Sequence, residues 1–111
     1  MKILIVGAGR IGSSVAESLV SEANDITVVD QDAERIGSLQ SRFDLRGVVG
    51  NATSPQVLTD AGAADTDMLI AVTSSDETNL VVTMLCARIF NIPTRIARVR
   101  NNELRDYPRI L

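Results

Sequence analysis

Short runs of Ile, Val and Leu recur along the chain at Ile3–Val6, Ile26–Val29, Leu45–Val49, Met68–Val72 and Arg95–Val99. Most are near-continuous rather than alternating, the pattern of strands covered on both faces. Between them, Ile11–Val20, Ala33–Phe43, Pro55–Ala61 and Asp76–Phe90 space their apolar side chains as helices do. Strand and helix alternating at this interval predict βαβ units and a parallel sheet. The boundaries agree. Ser54-Pro55 reads as a helix cap followed by a proline at the first helical position. Gly62 reads as a helix stop, Ser74-x-x-Glu77 as a capping box, and Asn91-Ile92-Pro93 as the end of the fourth helix.

The first strand runs into Gly7-Ala8-Gly9-Arg10-Ile11-Gly12. A G-x-G-x-x-G alone is weak, but here an apolar strand precedes it, an amphipathic helix follows, and Asp30 closes the next strand at about the ~20-residue spacing of a ribose-binding carboxylate. Gly7 allows the tight turn, Gly9 lets backbone approach a diphosphate, and Gly12 lets helix and strand pack closely. The helix start offers free N–H groups and a partial positive charge to an anion. The fold class expected is α/β: a Rossmann-type doubly wound parallel sheet in three αβα layers. Asp30 can accept hydrogen bonds from both ribose hydroxyls and would repel a 2′-phosphate. Gln31 and Asp32 supply no offsetting arginine, so NAD is favoured over NADP. The plainer alternative is that Asp30 caps a turn, and Asp32 reads equally as the cap of the second helix.

Two other segments fall at carboxyl ends of strands, where open α/β sheets bind ligands. Asn51 and Ala52 follow the third strand, with Asn51 able to reach an adenine or ribose edge. Thr73 and Ser74 follow the fourth and can offer hydroxyls and backbone groups, or serve only as caps. Arg98 and Arg100 share one face at the end of the fifth strand by alternation, where either can pair with phosphate or with a surface carboxylate. The fourth helix is apolar on nearly all sides through Leu80, Val81, Val82, Met84, Leu85, Cys86 and Ala87. One stripe is enough to cover a sheet, so the surplus points to a partner subunit or a further segment.

Composition narrows the function. The 111 residues allow one domain, and 45% hydrophobic content allows a real core. A net charge of −3 without a polybasic run argues against nucleic acid or anionic lipid as the main partner. No apolar stretch approaches the ~20 residues of a membrane span. The opening run is too short for a signal peptide, so a cytoplasmic location is expected. Cys86 is the only cysteine, which excludes a disulfide framework, and it reads as a small buried hydrophobe; no metal site is expected. There is no histidine, Lys2 is the only lysine and Tyr107 the only tyrosine. These are the usual general acids and bases near neutral pH, and Lys2 opens the first strand, opposite the expected ligand crevice. Catalysis within this chain is therefore not expected. Another helix begins near Glu103 before the chain stops at Leu111, and a full sheet of this type usually has a sixth strand. The expectation is one nucleotide-binding domain over residues 1–111, cut from a longer protein after the fifth strand.

The glycine motif, Val29-Asp30, Gly50-Asn51-Ala52-Thr53, Ala61-Gly62-Ala63, Ala71-Val72-Thr73-Ser74-Ser75-Asp76-Glu77-Thr78-Asn79 and Arg95-Ile96-Ala97-Arg98-Val99-Arg100 occur together and in order. In this the chain resembles the N-terminal RCK (KTN) domain family of the regulatory subunits of bacterial Trk potassium uptake, from Met1 to about Arg100. The Thr-Ser-Ser-Asp-Glu-Thr-Asn run is far more specific than the glycines. The resemblance implies binding of NAD⁺ or NADH, with ATP or ADP bound by relatives, and assembly as dimers or higher rings. It also implies a membrane potassium transporter as partner, gated from its cytoplasmic face. It places ligand contacts on Gly7 to Ile11, Asp30, Asn51, Ala52, Thr73, Ser74 and Arg98. Asn51 departs from the family, many of whose members carry Asp there, and removes a charge beside the adenosine. The rival reading is the cofactor domain of an NAD-dependent dehydrogenase whose catalytic domain lies elsewhere, since Rossmann domains serve many functions.

Overall fold

A computed structural model describes residues 1–105. The elements are β1 (Lys2–Val6), α1 (Arg10–Val20), β2 (Asp25–Asp30), α2 (Ala33–Arg42), β3 (Arg46–Val49), α3 (Pro55–Asp60), β4 (Met68–Ala71), α4 (Asp76–Arg88), β5 (Thr94–Ala97) and α5 (Asn102–Arg105), with one 3-10 turn at Ala63–Asp65. The five strands form one parallel sheet in the order β3-β2-β1-β4-β5. The expected α/β class and element order hold, with strand ends within two residues of the sequence reading. The start of the last expected helix falls at α5, whereas Tyr107 and Leu111 lie outside the described residues.

β1 is central and explains the layering. Alternate side chains of a strand point to opposite faces. Leu4 and Val6, with Val29, Leu69 and Ala71, meet Leu58 of α3 and Val82 and Cys86 of α4 on one face. Ile3 and Ile5, with Ile26, Val28 and Ile70, meet Ala16 of α1 and Ile36 and Leu39 of α2 on the other. Both cores need a strand apolar at every position, which is why β1 reads as an unbroken run.

The chain leaves β1 toward β2 but leaves β4 toward β5, in opposite directions from neighbouring strands. The connections therefore diverge above the carboxyl ends of β1 and β4 and open a crevice there. Local chemistry matches the boundaries. Asp32 caps α2 by accepting from the N–H groups of Glu34 and Arg35, and Ser54 caps α3, with Pro55 in its first turn. Gly62, with φ of +83°, stops α3 in the left-handed conformation that glycine adopts without a side-chain penalty. The capping box expected at Ser74 is shifted by one residue. Ser75 caps α4, accepting from the Thr78 N–H at 3.2 Å, because Thr73 is drawn toward Asn79 and the loop runs one residue further.

Gly12 shows the tightest packing: a Cβ there would overlap the carbonyl oxygen of Gly7, a backbone atom that cannot step aside. Gly12→Ala should therefore cost at least the ~1–3 kcal/mol typical of overpacking. Gly37, exposed on α2 with open space around it, should behave oppositely. Gly37→Ala is expected to stabilise by about 0.5–1 kcal/mol. Urea unfolding midpoints of the two variants should move in opposite directions.

Candidate functional site

The crevice is built from the β1–α1 turn outward. Gly7 sits at φ +114°, and its N–H donates to the Val29 carbonyl oxygen at 2.9 Å. The next residue turns inward: the Ala8 N–H donates to Asp30 Oδ1 at 2.9 Å. The other oxygen of Asp30 accepts from the Asp32 N–H at 2.8 Å. One carboxylate thus ties the glycine turn to the turn that opens α2. Sequence reasoning set capping and ribose binding as alternatives for Asp30; the structure gives it the turn role and also sets it on the crevice wall. A carboxylate has about four acceptor positions, so two remain for hydroxyl donors.

Gly9 is the N-cap of α1 and has no side chain with which to cap it, so the first-turn N–H groups of Arg10, Ile11 and Gly12 have no side-chain partner. They face a cleft of about 400 Å³ lined by Gly7, Gly9, Arg10, Ile11, Asp30, Arg35, Val72, Thr73, Ser74 and Arg98. A Cβ built on Gly9 would enter open space, with Arg35 Nη1 its only neighbour at 3.7 Å. Unpaired amides at a helix start beside bare backbone are the arrangement a diphosphate needs. The residues present fit such a group.

A second hollow of about 220 Å³ shares Asp30, Thr73 and Ser74 with the first and extends along Gly50, Asn51 and Ala52. Of the twelve residues singled out from sequence, ten line these two hollows. Ala8 and Gly12 do not; they shape the turn. Asn51 is partly committed, its Oδ1 accepting from the Thr53 N–H and hydroxyl at 3.0 and 2.8 Å, which leaves its amide nitrogen for a ligand. The Thr73 hydroxyl is committed too, donating to Asn79 Oδ1 at 2.7 Å.

Two expectations are corrected. Arg98 and Arg100 do not share a strand face, because β5 ends at Ala97. Arg98 lines the cleft, while the Arg100 guanidinium donates to the Ser74 carbonyl oxygen and its N–H to Asp76 Oδ1. The other concerns cations near Asp30. Residues 31 and 32 offer none, but Arg35, within the first turn of α2, lines the same cleft, 3.6 Å from the Asp32 carboxylate. Its signal was the helix period: three residues after the cap, a side chain returns to the face above the strand end. Cys86 is fully buried, and desolvation pushes its thiol up to about 11, so it is an inert part of the core. Among the described residues no group of three His, Cys, Asp or Glu side chains could hold a metal ion, and no helix is long and apolar enough to cross a membrane.

Fold and crevice together define a Rossmann domain of the nucleotide-binding type. The family model of the TrkA-N domain matches residues 3–110, and the chain belongs to that family. It is 55% identical over 103 residues to the Trk system potassium uptake protein TrkA of Haemophilus influenzae, an alignment covering 93% of this chain and 22% of that protein. Among solved structures, the TrkA-N domain of the inner membrane protein ybaL from Escherichia coli superposes with a TM-score of 0.87 at 24% identity, covering 96% of this chain and 78% of that one. The GsuK RCK domain superposes with a TM-score of 0.80 at 28% identity, covering 95% of this chain and 22% of that one.

The exit from β5 carries a titratable clamp. The N–H groups of Arg100 and Asn101, helped by the charges of Arg100 and Arg98 and opposed by slight burial, hold the Asp76 carboxyl below its ordinary 3.8. A carboxyl whose pKa is lowered by folding contributes stability above its ordinary pKa, and that contribution is lost as pH falls through the lowered value. The Arg100 and Asn101 amide proton resonances should therefore titrate with a midpoint below 3.8. Asp76→Ala should abolish that titration.

Proposed function

We propose that this domain binds NAD⁺ or NADH in the crevice between β1 and β4 and serves as the ligand-sensing part of a regulator of a membrane potassium transporter. The observation that carries the reading is the uncapped start of α1 beside Gly9, facing a cleft with Asp30 on its wall. The diphosphate would rest on the N–H groups of Gly9, Arg10 and Ile11, with a ribose against Asp30. The adenosine would extend toward Asn51 and Ala52, and Thr73, Ser74 and Arg98 would close the opposite side. ATP or ADP would use the same amides. The partner is inferred from relatives named for potassium uptake, of which this chain spans 22%. The module would act at the cytoplasmic face of the membrane within a longer protein of which residues 1–111 form one domain.

The reading is a sensor rather than an enzyme. The chain has no histidine, and its only lysine, Lys2, begins β1 at the end of the sheet away from the crevice. That leaves no group of either type to pass a proton at a substrate carbonyl. Ligand binding would shift the domain between states that the transporter distinguishes.

Calorimetric titration tests the site. NADH should bind, and Gly9→Val should abolish binding with the far-UV circular dichroism unchanged, since the new side chain enters the cleft rather than the core. NADPH should bind more weakly than NADH, because Asp30 would face the extra phosphate, and Arg35→Ala should widen that gap by removing a cation from the same cleft wall. Equal affinity for the two dinucleotides would refute the placement of the ribose at Asp30.

We also propose that the regulator pairs through α4. Val81 and Met84 are exposed there, with Leu80 and Leu85 half-buried beside them. A patch that meets its own copy across a two-fold axis makes a closed dimer. Burying a side chain such as Val or Leu contributes roughly 1.5–3 kcal/mol, so a few per subunit suffice. Val81→Asp should convert the dimer to a monomer in light scattering, and a monomeric unmutated chain at high concentration would refute the interface.

A further inference from the structure

We propose that Asn79 is a positioning residue of the nucleotide site: from the first turns of α4 it sets the backbone of Thr73 and Arg98 on the cleft wall, so that ligand binding and the seating of α4 are one event. This rests on the dinucleotide site proposed above. Asn79 is fully buried on the inward face of α4, a place where an apolar side chain would serve if packing were the only need. Its Oδ1 accepts from the Thr73 N–H at 2.9 Å and the Thr73 hydroxyl at 2.7 Å. Its Nδ2 donates to the Thr73 carbonyl oxygen at 3.1 Å and the Arg98 carbonyl oxygen at 2.9 Å. An asparagine has two donors and one carbonyl with two lone pairs, and all four are used.

The partners explain the choice of residue. Aspartate lacks the donors for two carbonyl oxygens. Leucine, close in size, would leave the Thr73 and Arg98 backbone groups without partners, and each such loss is costly. Both partners line the cleft, and they belong to two different strand ends. The main chain of Arg98 is held on both sides, its N–H donating to the Ala71 carbonyl oxygen at 2.9 Å and its own carbonyl accepting from Asn79. Its guanidinium therefore projects into the cleft from a fixed root. One turn earlier in α4, Asp76 holds the N–H groups of Arg100 and Asn101, so the same helix end grips the chain through residues 98–101. The hydroxyl of Thr83, also buried, donates to the Asn79 carbonyl oxygen at 2.7 Å and takes no part in the cleft.

That contrast supplies the control. NADH affinity should be measured by calorimetry for the full chain and for Asn79→Ala, Thr83→Val, Arg98→Ala and the Asn79→Ala/Arg98→Ala pair, each confirmed folded by circular dichroism. Both α4 variants lose a buried hydrogen bond and should unfold at lower temperature. Asn79→Ala alone should weaken NADH binding tenfold or more, while Thr83→Val should stay within twofold of the parent. In the Arg98→Ala background the further loss from Asn79→Ala should be smaller than in the parent, because the part that acts through Arg98 is already gone while the part that acts through Thr73 remains. Parental affinity in folded Asn79→Ala, or losses that multiply in the pair, would overturn the proposal. If Asn79→Ala does not fold, Asn79→Ser is read in the same way. If the unmutated chain does not bind NADH, the ligand reading fails alone, and amide hydrogen exchange decides the positioning role. Asn79→Ala should then speed exchange at Arg98 and Arg100 tenfold or more relative to Val6 and Val28. Equal protection in the two chains would overturn it.

Discussion

The close approach of Gly12 to the Gly7 carbonyl is the constraint on which the rest depends. No side chain fits between the start of α1 and the end of β1, so the helix begins directly on the strand end. The same contact leaves Gly9 at the cap position with nothing to cap, and the first-turn amides point into the crevice. A single Cβ at position 12 would lift α1 off the sheet and turn those amides away. Asp30 holds the arrangement from the other side, since its carboxylate joins the β1–α1 and β2–α2 turns through the N–H groups of Ala8 and Asp32. Stability and the shape of the crevice are therefore set by the same atoms, which is how a rigid scaffold can present bare backbone at its surface.

α4 buries two polar residues on its sheet side, beside Val82 and Cys86. Asn79 and Thr83 are buried on the sheet side, while Val81 and Met84 are exposed on the other. Burying an amide and a hydroxyl is tolerable only when each finds partners, and here both do. Asn79 thereby ties the inner face of the helix to the cleft wall by directional bonds, and the outer face exposes Val81 and Met84. A helix held by three hydrogen bonds to Thr73 and one to Arg98 moves with the cleft wall. A helix packed only by dispersion can slide a little without penalty. That difference is what would let the proposed sensor pass a change in the crevice to a surface a partner can read.

The fold was legible from sequence because it depends on one-dimensional signals. Ile3–Val6 and Met68–Ala71 are buried on both faces and therefore read as unbroken apolar runs. The caps Ser54 and Asp32 and the stop Gly62 act within a few residues of themselves. The glycine turn and Asp30 were legible for the same reason, as a motif of fixed spacing. What escaped was long-range or hinged on one residue of register. Ser75 rather than Ser74 caps α4 because Thr73 is drawn toward Asn79, six residues on. Strand alternation put Arg98 and Arg100 on one face, but β5 ends at Ala97 and alternation stops with it. Asn79 gave no local sign of its partner, because Arg98 is nineteen residues away in sequence.

Charge places the ligand class on physical ground. The chain carries a formal charge of −3, yet three arginines, Arg10, Arg35 and Arg98, line the cleft beside the positive end of α1. Each arises from a different element: α1, α2 and the exit from β5. Among the described residues Asp30 is the only carboxylate on the wall of that cleft, and both its oxygens already accept backbone N–H bonds. A cationic pocket in an acidic protein would draw in a small anion such as the proposed dinucleotide. The bare amides and the arginines of the pocket match phosphate oxygens. Selectivity among nucleotides would then fall to the periphery: Asp30 and Arg35 on the wall of the first hollow, and Asn51 in the second. In the proposed site the diphosphate cradle would contribute affinity that every such ligand shares, and discrimination would come from the few side chains set around it.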